Sequence, residues 1–131
     1  MNLILLDTDV ASFIFKNSPL AKQYQYLLSG SILALSFMTV AELFQWAKIH
    51  KWGEHRVSQL EQYLDAFLII PSDLALCQQW AKVRANRQEL GRIIAPQDAW
   101  IAATALCHDL PLVTHNVKDF LNVPNLRLLT P

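Results

Sequence analysis

The chain is poor in several features that would announce a function outright. Its two cysteines, Cys77 and Cys107, lie in apolar helical contexts without metal-site spacing. They read as buried, reduced thiols of a cytosolic protein. There are only three glycines, each placed where a helix should start or stop, and there are no repeats, linkers or low-complexity tracts. The four histidines show no ligand pairing, and His50 and His55 read as surface residues. Lysines and arginines equal acids at 11 each, so the zero net charge gives no support for a strongly basic nucleic-acid binder. No apolar run approaches the ~18 residues needed to cross a bilayer, so no membrane span is expected. The start, "MNLILLDTDVAS", has no basic n-region or small-residue cleavage site, and Asp7 interrupts it early. It reads as a poor signal peptide. What is present is a core: 53% hydrophobic against 17% charged residues argues for a folded globule, and 131 residues suit one domain.

Short apolar runs alternate with amphipathic stretches. "NLILL" (2–6), "SILALS" (31–36), "FLIIP" (67–71), "PLVT" (111–114) and "LRLL" (126–129) have strand length and are apolar on both faces. Between them, helices are expected over 9–16, 18–30, 39–50, 54–67, 72–90, 96–108 and 117–122. Ser18, Thr39 and Ser72 are the expected openers of three of them, with Pro19 and Pro96 near helix starts and Gly30 and Gly91 past helix ends. Alternating strands and helices imply right-handed crossover units. The expected fold is a three-layer α/β/α domain around a central, mostly parallel sheet of about five strands.

On that scaffold the acids gather. Asp7 directly follows the first strand. Glu42 falls in the first turn of the helix after the second, and Asp98 in the first turn of the helix before the fourth. Asn116 and Asp119 come just after the fourth strand. Strand C-termini and the following helix N-termini share one sheet edge, where ligands bind at the topological switch point. Asp7, Asp9, Glu42, Asp98 and Asp119 make up five of the eleven acids, so the six others face eleven cations over the remaining surface. Clustered, unpaired carboxylates cost several kcal/mol to bury, roughly, and a divalent cation resolves the conflict. Oxygen-only donors favour Mg²⁺ or Mn²⁺ over zinc. Each acid also has a plainer reading. First-turn acids complement the helix macrodipole by about 0.3–1 kcal/mol. Thr39 and Glu42 fit the capping box T-x-x-E. Asp7 could cap the next helix, although Thr8 or Asp9 could do so too. The joint pattern is more specific than its parts.

"LLDTDV", "TVAEL", "DAWIAATAL" and "LVTHNVKDF", in that order, resemble the PIN-domain ribonucleases, in particular the VapC-type toxins of bacterial toxin–antitoxin pairs. The resemblance runs from about residue 3 to the C-terminus. It implies a Mg²⁺-dependent endoribonuclease that hydrolyses RNA phosphodiester bonds in the cytoplasm. It further implies inhibition by a cognate antitoxin and a homodimer. By position, Asp7, Glu42 and Asp98 match the family's three core acids. The fourth falls on Asn116 or Asp119, with Asp119 favoured as the charged contributor, and Thr114 is an accessory that orients water. Two departures are visible: Asp9 stands where asparagine is common, and His115 where arginine is common.

Lys82, Arg84, Arg87 and Arg92 form a basic run, with Arg84, Arg87 and Arg92 as expected RNA contacts and a solvated helix face as the plainer meaning. Trp46, Trp52, Trp80 and Trp100 read as core or interface anchors rather than base-stacking platforms, and Trp46 could face a partner. Two other functions compete. One is a catalytically silent binding module of the same fold. The other is a phosphoacceptor receiver-like domain, with Asp73 after "IIPS" as its acceptor but without a matching lysine in "LRLLTP".

Overall fold

Strand β1 (Leu3–Leu6) is apolar on both sides because both sides are covered. Ile4 and Leu6 enter one core and Leu3 and Leu5 the other, the period-two alternation of a strand between two layers. In this computed structural model, which describes residues 2–131, the elements follow as α1 (Thr8–Phe15), α2 (Ala21–Leu28), β2 (Ile32–Ser36), α3 (Phe37–Ile49), α4 (Glu54–Leu64), β3 (Leu68–Ile70), α5 (Leu74–Glu89), α6 (Pro96–Cys107), β4 (Leu112–Val113), α7 (Val117–Phe120) and β5 (Leu128–Leu129). The five strands are ordered β3-β2-β1-β4-β5. Every pairing is parallel, so the sheet is wholly parallel.

One face of the sheet carries the core of Val10, Ala11, Tyr24, Leu28, Leu43 and Leu60, from α1 to α4. The other carries Val83, Ala99, Ile101, Ala102 and Ala105, from α5 and α6. The chain steps outward from β1 through β2 to β3, then returns to β4 on the opposite side. Its direction of progression therefore reverses between β1 and β4, which opens a crevice at the strand C-termini there.

Helix α6 is seated by small side chains. Ala99, Ala102, Ala103, Thr104 and Ala105 are all essentially inaccessible, which requires close approach on more than one side. Ile101 is also buried, and Leu106 packs against the same core. Thr104 Oγ1 lies 2.8 Å from the Trp100 carbonyl and 3.3 Å from Ser36 Oγ at the end of β2. The helix bearing Asp98 is thus fixed to the sheet edge.

Several helix starts differ from expectation, each for a local hydrogen-bonding reason. Helix α3 begins at Phe37 because Ser36 accepts from Met38 N at 3.1 Å, which leaves Thr39 inside the helix. Helix α5 is capped by Asp73 rather than Ser72, with Asp73 Oδ1 2.8 Å from Leu76 N. Ser18 and Pro19 precede α2 in a turn, where Ser18 Oγ accepts from Leu20 N. Helix α1 begins at Thr8 under an Asp7 cap. The cysteines are both free and exposed, contrary to the expected burial. On α5 the inward stripe is Leu76, Val83 and Arg87, which Cys77 misses. Cys107 ends α6 beyond its buried stretch. None of the four tryptophans is fully buried: Trp80 stacks on Trp100 at 4.8 Å between α5 and α6, and Trp52 stacks on Phe15 at 5.7 Å.

Candidate functional site

The pairing of β1 with β4 builds the site. Leu6 stands opposite Val113, so the next residues on each strand, Asp7 and Thr114, emerge side by side at the crevice. Thr114 Oγ1 donates to Asp7 Oδ2 at 2.6 Å, and Asn116 N donates to Thr114 Oγ1 at 3.0 Å. Asp7 Oδ1 accepts from Val10 N at 2.9 Å. Asp7 therefore caps α1 and faces the crevice at once, so the plain and the functional readings hold together. Only 4% of its surface is exposed. Burial raises its pKa, and the Asp9 charge adds to this, against the lowering by its hydrogen bonds to Thr114, Val10 and His115.

Glu42 lies in the second turn of α3 rather than the first, because the helix starts at Phe37. It is not half of a capping box. Its Oε1 accepts from Thr8 Oγ1 at 2.8 Å. Thr8 Oγ1 also lies 3.0 Å from Thr39 Oγ1. A hydroxyl has one hydrogen to give, so with Thr8 donating to Glu42, Thr39 must donate to Thr8. Burial, then the Asp9 and Asp7 charges, push the Glu42 pKa up against that one bond.

Asp98 sits in the first turn of α6, half-buried. No described group donates a hydrogen bond to it. Its pKa is pushed up to about 6, first by burial and then by the charges of Asp119, Glu42, Asp7 and Asp9. Asn116 Nδ2 donates to Asp9 Oδ2. Asp119 is exposed at the mouth, beyond the α7 start.

Together these residues enclose a cavity of about 80 Å³, walled by Asp7, Thr8, Asp9, Glu42, Trp46, Asp98, Ile101, Asn116, Asp119 and Phe120. All the acids anticipated at one sheet edge meet there, and both Asn116 and Asp119 reach it. Five carboxylates share the wall with no lysine or arginine. Among the described residues no three carboxylate, imidazole or thiol groups already stand at the spacing of a closed ligand shell. Asp7 is hydrogen-bonded by Thr114 and Glu42 by Thr8, while Asp98 accepts no hydrogen bond from the described residues. The donor set is oxygen only, which fits a hard divalent cation.

Sequence reasoning missed Thr8 as the orienting group for Glu42, Thr39 behind it, and Trp46 as a wall. The "DTD" spelling carried the only hint, a hydroxyl between two acids. The structure also corrects the basic run. Arg87 is 6% exposed, and its guanidinium donates to the carbonyls of Arg92, Asp119 and Leu121 at 2.7, 3.2 and 2.9 Å. Its donors are engaged internally, so it stands as a clamp rather than as the free cation expected of an RNA contact. Arg84 is half-buried, with Nη1 on the Ile94 carbonyl and its guanidinium 5.5 Å from the Trp80 ring. Arg92 is exposed. His115 is exposed, and its Nδ1 lies 2.6 Å from Tyr24 Oη.

A parallel α/β sheet with acids gathered at its switch point defines a class of fold and site. The chain belongs to the PIN-domain family, whose model, described as PIN domain, matches residues 4–126. Among characterised proteins it is similar to the ribonuclease VapC1 of Haemophilus influenzae strain R2866, 30% identical over 127 residues covering 95% of each chain. It is similar to the tRNA(fMet)-specific endonuclease VapC of Shigella flexneri, 28% identical over 94% of this chain and 93% of that one. Among solved structures, VapBC2 from Rickettsia felis bound to a DNA fragment from their promoter superposes with a TM-score of 0.86 at 27% identity, covering 98% of both chains. VapBC-1 from nontypeable Haemophilus influenzae superposes at 0.83 with 29% identity, covering 98% and 97%.

The raised carboxylate pKa values set a sign for stability. An aspartate ordinarily titrates at 3.8, and burial and the neighbouring acids push Asp98 up to about 6 in the fold. Between those pH values the folded state binds more protons than the unfolded state, so this group makes stability fall as pH rises through the window. A divalent cation bound to the ionised acids reverses the penalty. At one hundred times its Kd the ion is expected to add about 2.7 kcal/mol, a rise in Tm of several degrees at pH 7.5. The rise should shrink at pH 5, where protons compete. Differential scanning calorimetry with and without Mg²⁺ at both pH values reads this, and an equal shift at both would contradict it.

Proposed function

We propose that this protein is a Mg²⁺-dependent endoribonuclease, the toxin of a toxin–antitoxin pair, working as one cytoplasmic domain within a homodimer and held in check by a small antitoxin protein. The observation that carries this reading is the cavity with five carboxylates and no cation at the switch point. The ribonuclease names of the relatives, and the VapBC assemblies among the structural neighbours, support it. No helix among the described residues is long and apolar enough to cross a membrane.

Asp7, Glu42 and Asp98 would hold the ion, with Asn116 or Asp119 completing the outer shell and Asp119 preferred for its charge. Held there, Mg²⁺, or Mn²⁺ in its place, would supply positive charge that offsets the phosphodiester and would lower the pKa of a bound water. The chain's own contribution is orientation. Thr114 and the Val10 N–H fix both oxygens of Asp7. Thr8 fixes one oxygen of Glu42 and leaves the other free. Asp98 arrives on a helix seated against the sheet by its packed alanine face. That is the preorganisation a hydrolytic centre requires.

Binding without catalysis is the competing reading, and the intact acid set disfavours it. A receiver-like role is disfavoured more directly, since Asp73 caps α5 after edge strand β3 and takes no part in the acid cavity. The test is incubation with structured RNA in Mg²⁺ and in EDTA. Internal cleavage that needs the ion and disappears in Asp7→Ala is expected. Cleavage that persists in EDTA, or in Asp7→Ala, would sink the assignment.

A further inference from the structure

The acid cavity repels the phosphates it must receive, and of the arginines expected as RNA contacts Arg84 and Arg87 are engaged by backbone carbonyls while Arg92 is exposed and does not line the cavity. A different basic surface begins at the cavity's own wall. Trp46 lies one turn beyond Glu42 on α3 and lines the cavity with it. On the Trp46 ring lies Lys16, its Nζ 5.9 Å from the centroid, at the far end of α1 from Asp7. Helix rise places Lys16 about 13 Å from Asp7 along that axis. Next to Lys16 is a concavity of about 380 Å³ lined by Phe15, Lys16, Arg56 and Gln59. The Arg56 guanidinium lies 4.2 Å from the Trp52 ring centroid, and Trp52 rests in turn on Phe15.

Two cations thus lie over two indoles, and among the described residues neither has a carboxylate partner. The ion pair found among the described residues is Arg127–Asp109, elsewhere on the molecule. The intervening corner, residues 48–56, adds exposed Lys48 and Lys51 against one acid, Glu54. Stacking removes rotamer freedom from each cation before any ligand arrives, which lowers the entropy lost on binding. Because one Trp52 face meets Phe15 and Arg56 lies over the ring, the indole presents the guanidinium rather than offering itself to a base.

We infer that Lys16 and Arg56, seated on Trp46 and Trp52, form the phosphate track that carries an RNA strand to the acid cavity. The charge favours a polyanion over a peptide. This rests on the acid cavity being the hydrolytic centre, and the experiment separates the two. Fluorescence anisotropy in EDTA follows binding of a fluorescein-labelled, mixed-sequence single-stranded RNA of about 15 nucleotides. Comparing wild type with Lys16→Gln/Arg56→Gln from about 50 to 200 mM salt should show about tenfold weaker binding and a salt slope shallower by about 1.4, two phosphates at ~0.7 each. In Mg²⁺ the same variant should raise KM for cleavage with little change in kcat. Arg56→Lys should recover part of the affinity, and Arg127→Gln should leave it unchanged.

Wild-type affinity and slope in the double variant would overturn the track. The same result with weakened capture of a co-expressed antitoxin would assign the face to protein docking instead, also overturning it. Wild-type kcat in Asp98→Asn would refute the hydrolytic centre while the anisotropy still judges the track.

Discussion

Asp98→Asn is expected to lower kcat for RNA cleavage by on the order of 10²–10³-fold while making the metal-free protein more stable at neutral pH. The two effects have opposite signs because one property of Asp98 produces both. The carboxylate accepts no hydrogen bond from the described residues, is half-buried, and faces four other acids, so its pKa rises to about 6. At pH 7.5 it is ionised at a cost to the fold. Asparagine keeps the shape and removes the charge. On the proposed function, activity would fall because a divalent ion would lose a charged ligand, and the Mg²⁺-dependent rise in Tm should shrink with it. Thermal melts at pH 5 and pH 7.5 check the stability half: the gain should appear at pH 7.5 and fade toward pH 5, as the wild-type carboxyl takes up its proton. A variant that cleaves normally, or one destabilised at pH 7.5, would count against the site as drawn.

Arg87→Leu is expected to destabilise the protein by about 3–5 kcal/mol, because a buried guanidinium serves three carbonyls and its loss orphans them. For a chain of this size that is a fall in Tm of roughly 10–20 °C. The carbonyls belong to Arg92, Asp119 and Leu121, so the clamp ties the segment after α5 to α7. Arg87→Lys should fall between, since a lysine cannot reproduce the fork of donors. Arg92→Leu, which keeps the carbonyl Arg87 uses, should stay within about 0.5 kcal/mol. Denaturant titration measures all three. An Arg87→Leu protein of wild-type stability but reduced RNA affinity would restore the role first expected of this residue.

That reversal shows why composition alone was a poor guide to the surface. Arg84, Arg87 and Arg92 share a basic stretch, and helical spacing puts two of them on one face. Spacing does not say which face meets the core. On α5 the inward stripe includes Arg87, whose charge is tolerated because carbonyls from a loop and from α7 surround it. Cys77 fails in the opposite direction, an apolar residue one position off the stripe. The Lys16–Trp46 and Arg56–Trp52 pairs were invisible for a related reason. Their partners are thirty and four residues apart, and only the packing of α1, α3 and α4 brings the two pairs together.

By itself the sequence determined the layered architecture and the identity of the acids. Strand-length apolar runs between amphipathic helices admit few arrangements, and right-handed crossovers send successive strand ends to one edge. Asp7, Glu42, Asp98, Asn116 and Asp119 are therefore legible as one group from their positions along the chain. Only the tertiary structure decided how each acid is held. Thr114 reaches Asp7 across 107 residues, and Thr8 reaches Glu42 across 34. Hydrogen bonds of that kind depend on the register of β1 against β4 and on the rotation of α3. Both are set by packing over the whole core, which no local pattern encodes.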